Sequence, residues 1–371
     1  MKILIDGYWL DKPRGLGRYV REALHALAAY APSEVSIDVL VHSEIDEQLL
    51  IRDDRINYIK RKRRSHPIWE QFILPWEVRK RTPDVVHCPY NTAPVVRGRS
   101  KYCITIHDLI FNESLGAGLH QNLGNLYRRF VFRSLRYLTQ AILTVSEASA
   151  DVIWTAIQRS ATVIYTPTET FGLQDESDKN DDIASKIILH VGGRAPHKNT
   201  ERVIAAYNNL KPEVPLVVLG VDADDQLARR YRSESVLFPG WIDDNEVRKI
   251  YQRSILLVFP SLMEGYGLPI IEAFTAGVPV LTSNRPPMNE IASEAALLVE
   301  PENLHELESG IRRITGDKVL ANKLKNAGRL KLEKINGRTM CEGLLACYSA
   351  AIRGNNEKNT AVDDCMPHSS E

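Results

Sequence analysis

Two carboxylates, Glu264 and Glu272, stand eight residues apart around Gly265-Tyr266-Gly267-Leu268-Pro269. Before them Ile255-Leu256-Leu257-Val258-Phe259, closed by Pro260, reads as a buried parallel strand. After them Pro269 fits the first turn of a helix. Glycine backbone at that helix start leaves N–H groups bare beside the positive end of the helix dipole, where an anion is favoured. Glu264 then faces the ligand from the loop. Glu272, about one turn further in, can accept hydrogen bonds from ligand hydroxyls. Either glutamate alone would serve as an ordinary helix-start acid. Together the segment reads as a cradle for a diphosphate and a sugar.

A diphosphate leaving group handled without a metal needs fixed cations and N–H dipoles. The strand Ile187–Val191 leads through Gly192-Gly193 to Arg194 and Lys198, and a helix follows, capped by Asn199 or Thr200. Arg194 offers a planar fork and Lys198 a point charge, at the carboxyl end of a strand where ligands of open α/β sheets bind. Near the start, Gly15 and Gly17 lie in Arg14-Gly15-Leu16-Gly17-Arg18-Tyr19, between a strand at residues 1–6 and a helix running to about Tyr30. They permit close backbone approach to a ligand or make a plain tight turn. The third glycine of a dinucleotide fingerprint is replaced by Val20, which argues against an NAD oxidoreductase. A fourth strand ends in His107-Asp108. There His107 donates to a sugar hydroxyl or phosphate, with Asp108 holding its tautomer or capping the next helix, or is simply structural. Asp222-Ala223-Asp224 reads as a helix-start cap rather than a metal site.

These motifs, with Thr144-Val145-Ser146, resemble the retaining glycosyltransferases of the family-4 type, and more narrowly the bacterial mannosyl and rhamnosyl transferases of surface-polysaccharide assembly. The likeness covers about residues 1–352. It implies that Arg194 and Lys198 neutralise the nucleotide diphosphate and that Glu272 binds the ribose. It places Glu264 and His107 beside the donor sugar. Gly265, Tyr266, Gly267 and Leu268 would orient the sugar, the Gly15 to Gly17 loop would approach the phosphates, and Ile242 would lie near the nucleobase. Tyr165-Thr166-Pro167-Thr168-Glu169 stands where relatives commonly carry Asn-Gly, a departure that bears on how the domains join.

At 371 residues the chain suits two domains rather than one core. Strand and helix patterns alternate in both halves, as in parallel sheets covered on both faces. In the second half strands fall at about 187–192, 214–219, 236–238, 255–259, 278–282 and 296–299. The resemblance implies the α/β GT-B fold, two Rossmann-like doubly wound domains with a cleft between them. Residues 1–168 form the acceptor-side domain, 169–186 a polar linker and 187–335 the nucleotide-sugar domain. A helix at 336–353 packs back on the first domain, and 354–371 reads as a disordered tail.

Five cysteines show no CxxC spacing and no paired Cys/His pattern, so neither zinc nor a disulfide framework is indicated. A reducing cytoplasm fits. No apolar stretch approaches a membrane span, and the first residues lack the form of a signal peptide. Basic and acidic residues balance at 47 each, but Arg52 to Arg136 holds 17 basic against seven acidic residues. Two aromatic-rich basic stretches, residues 60–76 and 127–136, could meet the anionic inner face of the plasma membrane or could be a solvated loop and a core helix. No motif for nucleic acid accompanies the charge.

The expected activity is transfer of a hexose or deoxyhexose from a nucleotide-diphosphate sugar, GDP-mannose first, to a lipid-linked or oligosaccharide acceptor, with retention and with neither cofactor nor metal. The rivals are a nucleotide-sugar epimerase or phosphorylase on the same fold, and a non-catalytic glycan or membrane-complex subunit.

Overall fold

The computed structural model describes residues 1–12, 15–108, 119–172 and 186–354. The first half runs β1 (Lys2–Asp6), α1 (Leu16–Tyr30), β2 (Ser36–His42) and β3 (Ile56–Arg61). A continuous helical run follows, with α2 (His66–Ile68), a π turn (Trp69–Ile73) and α3 (Leu74–Arg81). Then come β4 (Val85–Cys88), β5 (Lys101–Ile106), α4 (Leu119–Leu138), β6 (Ala141–Thr144), α5 (Glu147–Ile157), β7 (Thr162–Val163) and the short α6 (Glu169–Gly172). The second half runs β8 (Ile187–Val191), α7 (Thr200–Leu210), β9 (Leu216–Leu219), α8 (Gln226–Tyr231), β10 (Val236–Leu237), α9 (Asp244–Arg253), β11 (Ser254–Phe259), α10 (Leu268–Thr275), β12 (Val280–Ser283), α11 (Met288–Ala292) and β13 (Ala296–Val299). Helices α12 (Leu304–Gly316), α13 (Lys318–Leu332) and α14 (Gly337–Arg353) complete it.

Both sheets are parallel, in the orders β3-β2-β1-β4-β5-β6-β7 and β10-β9-β8-β11-β12-β13. Each is doubly wound, so strand order reverses between β1 and β4 in the first and between β8 and β11 in the second. Ligands of such sheets bind in the crevice at this reversal, beyond the carboxyl ends of the strands. The central strands read as apolar runs because helices cover both faces: Ile3, Leu4, Val85, Val86, Leu256, Leu257 and Val258 are fully buried.

Two features differ from the sequence expectation. Residues 169–186 do not begin as a connector, since α6 buries Phe171 edge-on against Tyr251 at 5.2 Å with the Arg18 guanidinium over its ring at 5.4 Å. The acidic stretch 173–185 and the tail from 355 lie outside the described residues. And α8 is capped by Asp225, whose Oδ1 accepts from Leu227 N at 2.8 Å, rather than by Asp222 or Asp224.

Helix α14 leaves the second domain and packs on α1, β4, β5 and β6 of the first. Its buried face carries Met340, Cys341, Leu344, Cys347 and Tyr348. Tyr348 Oη lies 2.7 Å from His87 Nδ1, His87 Nε2 lies 2.8 Å from Thr105 Oγ1, and Tyr19 Oη bonds the same hydroxyl at 2.9 Å. Burial holds His87 neutral, its pKa pushed down to about 3.

Candidate active site

A cleft of about 350 Å³ opens between the carboxyl ends of the two sheets. On the second-domain side, Gly192 and Gly220 bring the β8 and β9 loops into backbone contact. A Cβ on Gly220 would lie 2.6 Å from the Gly192 carbonyl oxygen, and one on Gly192 would lie 2.5 Å from Thr200 Oγ1. Lys198 ends a single 3-10 turn, Pro196–Lys198, and its Nζ donates to Glu264 Oε1 at 2.7 Å. This pair joins the β8 loop to the β11 loop across the crevice. Asn199 sits at the start of α7 without capping it. Its amide instead donates to the Pro260 and Pro301 carbonyls, at 3.1 and 2.6 Å.

The α10 start is as bare as the glycines predict: Gly267, at φ 107°, precedes Leu268 and Pro269 with no side-chain cap. Its amides therefore keep donor capacity toward the cleft. Glu272, one turn in, accepts from Tyr251 Oη at 2.8 Å and lies 4.0 Å from Arg18 Nη2.

The first-domain wall carries Gly15, Leu16, Arg18, Tyr19, His107 and Asp108. A Cβ on Gly15 would meet open space, so its backbone is accessible. Gly17 serves a different purpose from the one expected. It does not line the cleft, and a Cβ there would lie 2.0 Å from the Lys12 carbonyl oxygen, so it is glycine for packing. His107 Nε2 faces the Pro89 carbonyl at 3.0 Å, and Tyr19 meets the ring edge-on at 4.7 Å. A carbonyl only accepts, so Nε2 carries the proton and Nδ1 is left as an acceptor. Burial lowers the His107 pKa to about 4. The ring is thus a neutral acceptor at Nδ1, and Pro89 rather than Asp108 fixes its tautomer.

Gly265 and Tyr266 sit at the domain junction. A Cβ on Gly265 would lie 2.4 Å from the His107 carbonyl oxygen, while its own carbonyl accepts from Ser146 Oγ at 2.9 Å and Ser149 Oγ at 3.1 Å. Tyr266 is buried and donates to the Thr166 carbonyl at 3.0 Å. The Tyr165–Glu169 segment is stitched to the second domain, with Tyr165 Oη on Glu290 at 3.1 Å and Thr168 on Thr275 at 2.9 Å. Glu290 also accepts the amides of Glu147 and Ala148 at the start of α5.

Arg194 and Ile242 do not line the cleft. Arg194 is turned outward, 75% exposed, with Nε 2.9 Å from Asp225 Oδ2. Ile242 packs against the edge of the core. Arg18 takes a place that sequence reasoning missed. It is 3% exposed and its Nη2 crosses to Asp244 Oδ2 at 3.2 Å, so a buried guanidinium joins the half-buried Lys198 in the cleft lining. Among the described residues no group of three or more His, Cys, Asp or Glu side chains could hold a metal ion.

Two Rossmann-like domains facing each other across a cleft, with Lys198 and the uncapped α10 start in the second, are the architecture of a GT-B glycosyltransferase. Residues 13–170 match Glycosyltransferase Family 4 and residues 174–331 match Glycosyl transferases group 1, and the chain belongs to this family. It is 24% identical to the O-antigen chain mannosyltransferase RfbU of Salmonella typhimurium, over 81% of this chain and 87% of that one. It is 28% identical to the serotype-specific mannosyltransferase WbdA of Escherichia coli, over 50% of this chain and 23% of that longer protein. Among solved structures it superposes on Anabaena HepE, seen with UDP and glucose, with TM-score 0.72 at 18% identity over 94% of this chain and all of that one. On WaaG, a glycosyltransferase of lipopolysaccharide biosynthesis, the TM-score is 0.69 at 15% identity over 96% of this chain and all of that one.

Proposed function

We propose that the protein transfers a hexose or deoxyhexose, mannose from GDP-mannose foremost, with retention of anomeric configuration, to a lipid-linked or oligosaccharide acceptor in cell-surface polysaccharide or O-antigen synthesis. The observation that carries it is Lys198 on Glu264 beside the uncapped α10 start. As the sugar C1–O bond breaks, negative charge grows on the diphosphate. Lys198 exchanges its carboxylate partner for the departing phosphate, and the α10 amides and Arg18 add fixed positive charge. Arg194, 75% exposed, swings in from Asp225 to add a second cation. Glu272 accepts from the ribose hydroxyls, and Glu264 with neutral His107 accepts from sugar hydroxyls. Domain closure brings the Gly15 backbone to the phosphates. The names of RfbU and WbdA support the mannosyl donor and the glycan acceptor.

The same reading places the enzyme in the cytoplasm, peripheral on the inner face of the plasma membrane. Phe72 (71% exposed) and Trp76 (67%) on the α2–α3 run, with Phe130 (64%) on α4, stand among exposed Arg79, Lys80, Arg128 and Arg133. Gln71 bonds Tyr127 Oη at 2.8 Å, tying the two segments side by side. Apolar side chains ringed by cations complement anionic lipid. No helix of the described residues is long and apolar enough to cross a membrane.

Radiolabelled GDP-mannose supplied with membrane lipid extract tests the transfer. A labelled lipid or glycan product formed in EDTA, with its rate greatly lowered in a folded Lys198→Ala, is expected. Conversion of the donor with no acceptor would instead indicate an epimerase, and no product with GDP-, UDP- or dTDP-sugars would remove the transferase reading. Co-sedimentation with phosphatidylglycerol vesicles, lost in Phe72→Ser/Phe130→Ser and weakened by salt, tests the membrane surface.

A further inference from the structure

The carboxyl ends of the first sheet serve the cleft, and its amino ends border a second groove that the function proposed above leaves without a task. The groove has a volume of about 840 Å³ and lies between α3, which offers Val78, Arg79 and Thr82, and the segment 96–101 that leads into β5, with Ile352 of α14 completing its wall. It shares no residue with the cleft. Asp84 and Ser100, which both line it, immediately precede β4 and β5, so it opens at the opposite end of the sheet from the candidate active site.

The lining holds four basic residues, Arg79, Arg97, Arg99 and Lys101, against one acid, Asp84. Asp84 is already engaged, its Oδ2 accepting from Lys2 N at 2.7 Å. Arg97 is turned into the wall, with Nε on the Pro94 carbonyl at 2.6 Å and its guanidinium 5.0 Å from the Tyr102 ring centre. The other three stand open. Among the described residues the side chains of Arg79, Arg99 and Lys101 have neither an ion-pair nor a hydrogen-bond partner, and the Thr82 and Ser100 hydroxyls have no hydrogen-bond partner either. Neighbouring cations are neutralised: Arg81 lies 3.2 Å from Glu77 and 3.5 Å from Asp38, and Arg61 lies 2.6 Å from Glu77. Arg79 alone would be a helix-end cation that offsets the α3 dipole. Arg99 and Lys101 come from another segment and line the same space, so one helix end does not account for the excess, and the groove attracts an anion.

The remaining lining is apolar. Val96 is 79% exposed and Ile352 is 37% exposed. Trp76 precedes Arg79 by three positions on α3, which makes the two neighbours on the helix surface, so the groove runs into the exposed face of Phe72 and Trp76. An anion that carries an apolar chain satisfies both halves of this lining, with guanidinium, ammonium and hydroxyl groups for phosphate oxygens and Val96 and Ile352 for methylenes. We propose that the groove binds the headgroup phosphate of an anionic membrane phospholipid, with the first methylenes of its chains against Val96 and Ile352. The inference deepens the membrane reading and rests on it for its purpose. The groove gives that surface a preference for one class of lipid, which exposed aromatic rings alone do not.

Monomeric dihexanoyl phosphatidylglycerol, kept below its micelle concentration, tests the groove without a bilayer. Isothermal titration calorimetry on the full chain is expected to show saturable binding, weaker by about tenfold or more in Arg99→Gln/Lys101→Gln and by about threefold or more in Val96→Ser, with melting temperature unchanged in both. No saturable binding in the wild type, or equal affinity in the folded double variant, overturns the site. Equal affinity for inorganic phosphate, or unchanged affinity in Val96→Ser, would assign the groove to a free anion and overturn the lipid. Tighter binding of a glutamate-rich hexapeptide would assign it to a protein and overturn the lipid too. Phe72→Ser/Phe130→Ser is expected to lose vesicles and keep the monomeric lipid. A wild type that binds the monomer but no phosphatidylglycerol vesicle would overturn the membrane reading and leave the groove standing.

Discussion

The crevices at the two strand reversals occupy the same place in the same topology and are built from opposite materials. The β8–β11 crevice is glycine, lysine, glutamate and open helix amides, with Lys198 and Glu264 holding each other across it. The β1–β4 crevice is tryptophan, tyrosine and histidine around buried carboxyls, with Asp6 1% exposed beneath Trp69 Nε1 at 2.9 Å. A doubly wound sheet therefore fixes where each crevice lies, and the loops decide whether charge or aromatic rings line it.

Substitutions can break that contrast. The largest effect is expected at Lys198. On the proposed transfer, replacing it with Ala removes a donor to the leaving group, and kcat/KM should fall roughly 10²–10³-fold with melting nearly unchanged. Steady-state kinetics beside a melting curve checks this, and near-wild-type turnover would separate Lys198 from the chemistry. Next is Gly265→Ala, whose methyl would lie 2.4 Å from the His107 carbonyl oxygen and must part the cleft walls. Misplacing reacting groups by an ångström can cost ~10²-fold, so turnover should drop at least tenfold together with melting temperature. Unaltered kinetics would show that the two walls need not touch there.

A smaller effect, confined to the aromatic crevice, concerns Asp6. Burial raises its folded pKa to about 7 from 3.8. A raised carboxyl contributes stability below its unfolded pKa and loses it as pH rises toward the folded value. The stability of Asp6→Asn relative to wild type should thus improve by at most about 1.4 kcal/mol per pH unit between pH 4 and 7, then level off. Denaturant titrations at pH 4.5, 6 and 7.5 measure it, and a pH-independent difference would contradict it. The smallest effect is expected at Arg194. Its side chain is 75% exposed and outside the cleft lining, so Arg194→Ala should cost under about tenfold in kcat/KM. A loss equal to that of Lys198→Ala would place both cations on the diphosphate from the outset.

Much of this was legible in the chain. Period and punctuation gave α1 its end at Tyr30 and placed β8, β11 and β13 to within one residue, because buried parallel strands read as short apolar runs closed by Gly or Pro. The α10 start was legible because Gly267 and Pro269 act through their own backbone. What escaped depends on contacts distant in sequence. Arg194 and Lys198 are four apart, but the segment between them bends and then makes one 3-10 turn, so helical spacing does not put them on one side. Arg18 belongs to the Arg14–Tyr19 motif, yet only tertiary packing shows it crossing 226 residues of sequence to Asp244. Gly17 and Tyr266 likewise owe their places to neighbours from other elements, the Lys12 carbonyl and the Thr166 carbonyl.

Helix α14 has a consequence for how the chain is made. Tyr348 closes the hydrogen-bond chain through His87 and Thr105 to Tyr19, and Leu344 and Cys347 fill the layer over β4 to β6. Domains commonly fold in the order in which they are synthesised. Here the domain begun first cannot complete its core until the last helix arrives, after the whole second domain has been translated. The second domain is the first to be whole, and the first domain, though started earlier, is finished last.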